Sequence, residues 1–140
     1  MQPTEFIWKN GEFVKWADAT VHVTAHALHY GSSVFEGVRT YATKSGPGVF
    51  RLQAHTRRLF NSAKLARMEM PFTEDQVNQA IIDTVKRNQL GACYIRPLAF
   101  RDAGLMGVED EKIQQPSRFS PLNGASTLAR RQLSRAWMSR

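Results

Sequence analysis

The stretch His26-Ala-Leu-His-Tyr-Gly-Ser-Ser-Val-Phe-Glu-Gly-Val-Arg39 is the most informative part of this sequence. It brings aromatic, acidic, basic and glycine residues into one short segment, a mixture that indicates the wall of a binding site more than ordinary core. A second stretch of the same character, Tyr94-Ile-Arg-Pro-Leu98, follows downstream. The elements around these two stretches determine what kind of fold could carry them.

The residues before the first stretch predict a tight β-hairpin. Phe6–Trp8 and Glu12–Trp16 are strand-like and flank Lys9-Asn10-Gly11. Asn-Gly between such runs is the strongest local hairpin signal, because both central positions of the turn need positive φ. Val21–Val23 is expected to continue in an extended conformation.

The first stretch itself predicts a short helical turn or loop that leads into a second pair of strands. Ala25–Ser33 contains Gly31, which is expected to break a helix. Val38–Ala42 and Gly48–Leu52 are predicted strands, joined by a Gly/Pro turn over Lys44–Gly48.

Two helices and a last strand follow. Residues from Gln53 to about Met68 repeat apolar side chains at helical spacing, and Thr73-Glu-Asp-Gln76 predicts a capping box that starts a second helix. Ala92–Phe100 is a predicted strand in which Pro97 indicates an edge or a bulge. Clustered strands and paired helices predict an α+β fold, a small antiparallel sheet packed with two helices.

The composition fits one globular domain. The chain has 140 residues, 42% of them hydrophobic, and a single cysteine, Cys93, which excludes an internal disulfide. No signal-peptide pattern and no membrane-spanning apolar run are present in the sequence. A soluble, cytoplasmic protein without a membrane partner is expected.

The high isoelectric point of about 10.1 comes from the end of the chain. Residues 116–140 contain five arginines and no acidic residue; without them, 14 basic residues face 12 acidic ones, a net charge of +2. A nucleic-acid partner is therefore not expected, because the body of the chain is nearly neutral and the tail lacks interleaved aromatic residues.

Several side chains in these stretches have a chemical and a structural interpretation. Arg58 could meet a phosphate bidentately or lie on a solvated helix face. Tyr30, Phe35 and Tyr94 could wall an apolar pocket, although aromatic residues more often form core. Arg96 could hold a substrate carboxylate or pair with Glu36, and these two alternatives are equally weighted. Gly37 would let a ligand approach the backbone.

A metal site is not expected. The histidines of the sequence are His22, His26, His29 and His55, and their spacing fits no ligand pattern. The sequence also has no Gly-rich phosphate loop and no nucleophile elbow.

Taken together, these motifs resemble the N-terminal small domain of the branched-chain amino-acid aminotransferases, fold-type IV enzymes that use pyridoxal phosphate. The resemblance covers residues 6–108. The residues that carry it are Ile7-Trp8 with Asn10-Gly-Glu12, the His26–Arg39 stretch, Phe50-Arg51, His55 with Arg58-Leu59, Ser62-Ala-Lys64 and Tyr94–Pro97.

The resemblance implies a role for each matching residue. Arg58 would bind the phosphate of pyridoxal 5'-phosphate. Tyr30, Phe35 and Gly37 would line the side-chain pocket, with Tyr30 reaching into the site of a neighbouring subunit of a homo-oligomer. Tyr94 and Arg96 would seat the substrate, Arg96 by its contact with the glutamate side-chain carboxylate. The implied reaction transfers the amino group of leucine, isoleucine or valine to 2-oxoglutarate.

The chain departs from the family after residue 108. No catalytic residue is assigned, because the Schiff-base lysine belongs to a larger domain of the family that this sequence does not match. None of the lysines here stands at the family's position: Lys9, Lys15, Lys44, Lys64, Lys86 and Lys112. The chain alone is expected to be inactive.

Residues 109–140 are interpreted as an off-family, Arg/Ser-rich and poorly ordered tail, with a basic amphipathic helix possible over Ala129–Trp137. Back-translation of Ala125–Ser139, read from the third base of each codon, allows Glu-Tyr-Leu-Gly-Ala-Glu-Ala-Ala-Glu-Gln-Gly-Val-Asp-Val. This resembles the family, and a one-base frame shift between about residues 109 and 123 is therefore expected.

Two other functions remain open from the sequence. A small basic nucleic-acid-binding protein would act through the arginine-rich tail, and filter binding with and without residues 116–140 would test it. A dimerising module would pair with a full-length enzyme, and co-purification with an intact homologue would support it.

Overall fold

The structure, a computed structural model, describes residues 3–103 and the backbone of residues 125–131. Its elements follow the chain in this order: β1 Phe6–Lys9, β2 Glu12–Lys15, a 3-10 turn Trp16–Asp18, α1 His26–Tyr30, β3 Ser33–Phe35, β4 Val38–Thr43, β5 Gly46–Val49, α2 Leu52–Leu65, α3 Glu74–Arg87, β6 Cys93–Phe100 and β7 Ala125–Arg131.

One antiparallel sheet organises the described residues. The strand order is β2-β1-β7-β6-β4-β5, and β3 also pairs with β6. Strand β6 has both β3 and β4 along one side: Phe35 lies opposite Leu98, and Val38 lies opposite Ile95. With α2 and α3 beside the sheet, the predicted α+β class, a small antiparallel sheet packed with two helices, is confirmed.

The position of Pro97 corrects the expectation of an edge strand or a bulge. Strand β6 lies inside the sheet, between β7 and the β3/β4 pair. The carbonyl of Pro97 accepts a hydrogen bond from the Glu36 N–H at 3.0 Å, so the proline nitrogen faces the gap between β3 and β4. A missing N–H is tolerated there, because no strand residue lies opposite it on that side.

The first hairpin forms as predicted. Asn10 and Gly11 have φ values of 53° and 94°, so both central positions are in the left-handed region that this turn needs. Phe6 pairs with Lys15 and Lys9 with Glu12.

Helix α3 begins with the predicted capping box. The Thr73 hydroxyl accepts from the Gln76 N–H at 3.2 Å, and the Gln76 side-chain oxygen accepts from the Thr73 N–H at 2.8 Å. The apolar face of α3 then packs on the sheet, and the core cluster joins Ile81 to Val38 and Ile95. This core covers one face of β6 and leaves the opposite face, which carries Tyr94 and Arg96, outside the core.

Three local expectations were wrong. Val21–Val23 does not remain extended, because Val23 lies in a turn that precedes α1. The second hairpin turns at Lys44-Ser45, with Gly46–Val49 as its second strand. Leu52 is the first residue of α2 rather than the end of a strand. Pro47 is acceptable in β5 because β5 is an edge strand of the sheet.

The tail contains a strand that its sequence did not predict. Residues 125–131 pair with β6 over seven positions, from Cys93 opposite Arg131 to Ala99 opposite Ala125. This corrects the expectation of a poorly ordered segment and of a helix for residues 129–131, because backbone hydrogen bonding with β6 outweighs the weak local pattern. The proposed frame-shift window, the domain boundary at residue 108 and residues 132–140 lie outside the described residues.

Candidate functional site

Strand alternation places the predicted substrate residues on the open face of the sheet. Cys93 and Ile95 of β6 point into the core against α3. Tyr94 and Arg96 alternate with them and therefore point to the other face. Phe35 lies directly opposite Leu98, which shares the face of Arg96, so the register brings Phe35 to the same side.

The guanidinium of Arg96 is held by two aromatic rings. Its Cζ atom lies 4.4 Å from the centroid of Phe35 and 5.5 Å from that of Tyr94. Its Nη2 also donates to the Tyr94 hydroxyl at 2.9 Å. Stacking fixes the plane of the guanidinium, and its remaining N–H groups can meet a planar carboxylate.

Gly37 makes this arrangement possible. A Cβ atom on residue 37 would lie 2.6 Å from the Tyr94 hydroxyl and 3.2 Å from its ring. The glycine is needed for close approach of a side chain, since its φ lies outside the left-handed region. The structure thus brings Phe35, Gly37, Tyr94 and Arg96 together, as the two quoted stretches suggested.

Glu36 lies between Phe35 and Gly37 and belongs to a second cluster. It is only 4% exposed, and its carboxylate accepts from Nε and Nη2 of Arg58, both at 2.5 Å, and pairs with Nδ1 of His55 at 2.9 Å. His55 and Arg58 are three positions apart on α2, so they share a face of the helix. A buried carboxylate needs such partners to remain charged.

The hydrogen bonds from Arg58 hold the pKa of Glu36 below its usual value of 4.5, while burial opposes this effect and His55 adds to it. The same contact raises the pKa of Arg58. The cluster therefore contains an ionised carboxylate and a cationic guanidinium under ordinary conditions.

The structure bears on the alternatives that the sequence left open for Arg96 (a substrate carboxylate or Glu36) and for Arg58 (a phosphate or a solvated helix face). Of the two alternatives for Arg96, pairing with Glu36 is wrong, because Glu36 pairs with Arg58 and His55 while Arg96 stacks on Phe35. Arg58 is 66% exposed, yet it is tied to a buried acid and is not an isolated surface residue.

The ring contacts of Tyr30 are with residues of its own helix, not with the Arg96 or the Glu36 cluster. Its ring centroid is 4.4 Å from that of His26 and 6.1 Å from that of His29, all within α1. Helix α1 ends at Gly31, which has a φ of 65°, as expected for a helix breaker. Tyr30 is 46% exposed.

Glu36 and His55 belong to the site, although the sequence gives little signal for either residue. The sequence offers Glu36 only as an alternative partner of Arg96, and it assigns no chemical role to His55. The spacing of His55 and Arg58 on one helix face was the available signal, but only the fold shows that Glu36 lies against that face.

The other histidines make local hydrogen bonds. Nδ1 of His22 lies 2.7 Å from the Thr24 hydroxyl, Nδ1 of His26 lies 2.7 Å from the Ser32 hydroxyl, and Nε2 of His29 lies 2.8 Å from the Val23 carbonyl oxygen. Within the described part of the chain, no group of three or more metal-ligating side chains comes together.

Comparison with known proteins identifies the family. The model of the family described as amino-transferase class IV matches residues 33–133, more than half of the chain. This chain belongs to the class IV aminotransferases. The match includes Ser33–Arg39 of the first quoted stretch and all of the second, Tyr94–Leu98, and it extends over β7.

Among curated relatives, this class IV aminotransferase is 51% identical over 102 residues to the branched-chain-amino-acid aminotransferase of Pseudomonas aeruginosa. It is 49% identical over 104 residues to that of Escherichia coli K12. These matches cover 73% and 74% of the chain but only 33% and 34% of the relatives. The chain thus spans about a third of their length.

Solved structures agree with the fold. A branched-chain amino acid aminotransferase complexed with N-(5'-phosphopyridoxyl)-L-glutamate, from the organism abbreviated T.th., superposes with a TM-score of 0.79 at 44% identity, over 92% of this chain and 41% of that one. The Escherichia coli enzyme gives 0.79 at 40% identity, over 92% of this chain and 41% of that one. The resemblance to branched-chain aminotransferases is therefore confirmed.

Across the residues that the structure describes, none of the helices has the length and apolar character needed to cross a membrane.

Proposed function

We propose that this class IV aminotransferase chain supplies the substrate-contacting part of a branched-chain aminotransferase. The reaction would transfer the amino group of leucine, isoleucine or valine to 2-oxoglutarate. Support comes from relatives at about 50% identity that carry this name and from the stacked Arg96 cluster. Pyridoxal phosphate, when bound, supplies the electron sink for this chemistry.

The residues present fit a phosphate group at Arg58. Glu36 occupies Nε and one position on Nη2, which leaves three of the five guanidinium N–H groups for another acceptor. The side chain is 66% exposed, so an anion can reach them. We assign cofactor-phosphate binding to Arg58 on this basis.

The Arg96 cluster supports a carboxylate site beside an apolar wall. Arg96 would hold the side-chain carboxylate of glutamate, because its plane is fixed by Phe35 and its Nη2 by Tyr94. Phe35 and Gly37 would line the pocket for a branched aliphatic side chain, with Tyr94 seating the substrate. The stacked and hydrogen-bonded Arg96 is the observation that carries this assignment.

Tyr30 would act in a neighbouring subunit of a homo-oligomer. The segment around α1 exposes large apolar side chains: Val23 is 71% exposed, Leu28 65% and Tyr30 46%. A group of exposed apolar residues of this kind is typical of an interaction surface. Sedimentation velocity at several concentrations would test self-association, and a Leu28→Glu variant that remains equally associated would contradict this surface.

Turnover requires a lysine that binds the cofactor covalently, and the family resemblance assigns that role to none of the lysines in the given sequence. We therefore expect the purified chain to transfer no amino group from leucine to 2-oxoglutarate. A cofactor absorbance band that borohydride fixes covalently to the chain would contradict this expectation.

The binding part of the proposal is tested separately from activity. Titration with pyridoxal phosphate, followed by absorbance and by the backbone amide signals of α2, should show weak binding that pyridoxal without phosphate does not reproduce. An Arg58→Ala variant should lose the difference between the two ligands. Equal binding of both ligands by the unaltered chain would refute the role of Arg58.

A cytoplasmic location belongs to the same proposal, since the reaction joins common amino-acid metabolites and the single cysteine, Cys93, is buried and free. Cell fractionation with a tagged chain would test it, and recovery outside the cytoplasmic fraction would contradict it.

A further inference from the structure

Glu36 contacts both an arginine, Arg58, and a histidine, His55. Among the described residues, it is the only acid with such a pair of partners. Its position in the chain is also unusual, because Phe35 and Gly37 on either side belong to the Arg96 cluster on the open face. Its backbone N–H donates to the Pro97 carbonyl at 3.0 Å, which anchors the residue to β6. The backbone of Glu36 is thus hydrogen-bonded to an inner strand of the sheet, while its carboxylate contacts α2.

Arg58 contrasts with an ordinary surface arginine. A side chain that is 66% exposed normally samples many rotamers and loses considerable entropy when a ligand orders it. Here two parallel hydrogen bonds to one buried carboxylate fix the plane and the direction of the guanidinium before any ligand arrives. The end of the group that carries Nη1 is left for an acceptor, and no described hydrogen bond uses it.

From this geometry we infer that Glu36 is a positioning residue for Arg58: it holds the guanidinium so that its free N–H groups meet a phosphate. His55 is the second partner of the carboxylate. Its Nδ1 contacts Oε2 of Glu36, the same oxygen that accepts from Nη2 of Arg58, and so it limits the movement of that oxygen. The inference deepens the proposed function and rests on it, since the phosphate would be that of the cofactor.

Removal of the Glu36 charge has two effects of opposite sign on phosphate binding. A carboxylate close to a bound phosphate repels it, so loss of the charge by itself should tighten binding. Loss of the bidentate contact should weaken binding, because the guanidinium becomes mobile and must be ordered by the ligand. The direction of the change in Glu36→Gln therefore distinguishes a positioning residue from a mere neutralising partner.

The experiment uses the whole chain, labelled with ¹⁵N, and inorganic phosphate as the probe at constant ionic strength. The Nε–H signal of Arg58 reports binding. We expect Glu36→Gln to raise the dissociation constant for phosphate about fivefold or more. The matched control is Arg57→Ala, a neighbouring exposed arginine, which should change the constant by less than about twofold.

The possible results separate the cofactor role of Arg58 from the positioning role of Glu36. Failure of the unaltered chain to shift the Arg58 signal with phosphate overturns both the cofactor role of Arg58 and the positioning role of Glu36. Binding by the unaltered chain that Glu36→Gln leaves equal or tighter overturns the positioning role alone.

A second measurement needs no variant and remains decisive if Glu36→Gln does not fold. In the unaltered chain without phosphate, the Nε–H group of Arg58 should show a higher order parameter and slower solvent exchange than that of Arg57. Equal mobility of the two arginines would overturn the positioning role, because the carboxylate would then not restrain the guanidinium.

Discussion

A Cβ atom on Gly37 would come within 2.6 Å of the phenolic oxygen of Tyr94. The same oxygen accepts a hydrogen bond from Arg96 at 2.9 Å. Because residue 37 is a glycine, the Tyr94 ring has room to lie where its hydroxyl can hold Arg96. The contact links the two sequence stretches that first suggested a site.

Gly37→Ala should therefore release Arg96 from Tyr94. The Tyr94 ring must shift to avoid the new methyl group, at a cost of about 1–3 kcal/mol in the free energy of unfolding. Urea denaturation would measure this cost, and the Nε–H signal of Arg96 would report the lost restraint. Gly91→Ala is the control, since a Cβ there meets nothing within 4 Å and should leave the Arg96 signal in place. An unchanged Arg96 signal in Gly37→Ala would show that the contact does not hold the guanidinium.

The stability of the chain should depend on pH through Glu36. Its pKa is lowered in the folded state, mainly by the hydrogen bonds from Arg58, relative to an ordinary value of 4.5. A group of this kind stabilises the fold above its unfolded pKa, and the contribution is lost as the pH falls through the lower folded value. We expect the difference in unfolding free energy between the unaltered chain and Glu36→Gln to be constant above about pH 5.5 and to shrink below pH 4.5.

Denaturant unfolding at a series of pH values from neutral to acid would follow this difference. Glu12→Gln removes an exposed acid on β2 and should not reproduce the effect. A difference that stays constant down to about pH 3 would mean that the Glu36 pairing is not linked to folding.

The capping box at the start of α3 should be worth a measurable amount of stability. Thr73→Ala removes the hydroxyl that accepts from the Gln76 N–H and should cost about 1 kcal/mol in the free energy of unfolding. Thr73→Ser keeps the hydroxyl and should recover most of the loss. Thermal and urea unfolding of the two variants give the comparison, and equal stability of Thr73→Ala and the unaltered chain would argue that the box is not formed.

The frame-shift interpretation of the tail predicts a specific DNA sequence. Resequencing of the locus should show that the codons of Ala125–Ser139, read from the third base, encode the family-like peptide, with a single inserted or deleted base upstream between about residues 109 and 123. A locus whose alternative frame encodes no such peptide would end this interpretation. The strand at Ala125–Arg131 does not decide the question, because strand pairing with β6 depends mainly on backbone groups.

Local patterns in the sequence were sufficient for the elements with strong short-range signals. Asn10-Gly11 predicted the first hairpin, Thr73 with Gln76 predicted the start of α3, and Gly31 predicted the end of α1. Each of these signals is a backbone requirement that a particular residue type satisfies within a few positions. The second hairpin was misplaced because a segment with three candidate turn residues, Gly46, Pro47 and Gly48, allows several registers.

The sequence by itself determined the α+β class, the two motif stretches and the residue types of the site, since these follow from periodicity, caps and composition. Only the tertiary structure decided that Glu36 pairs with Arg58 and His55, while Arg96 stacks on Phe35. The physical reason is the pleat of the sheet: adjacent residues point to opposite faces, and the pairing of β3 and β4 with one strand, β6, sets which face each side chain reaches. That pairing joins residues about 60 positions apart, beyond the range of any local pattern.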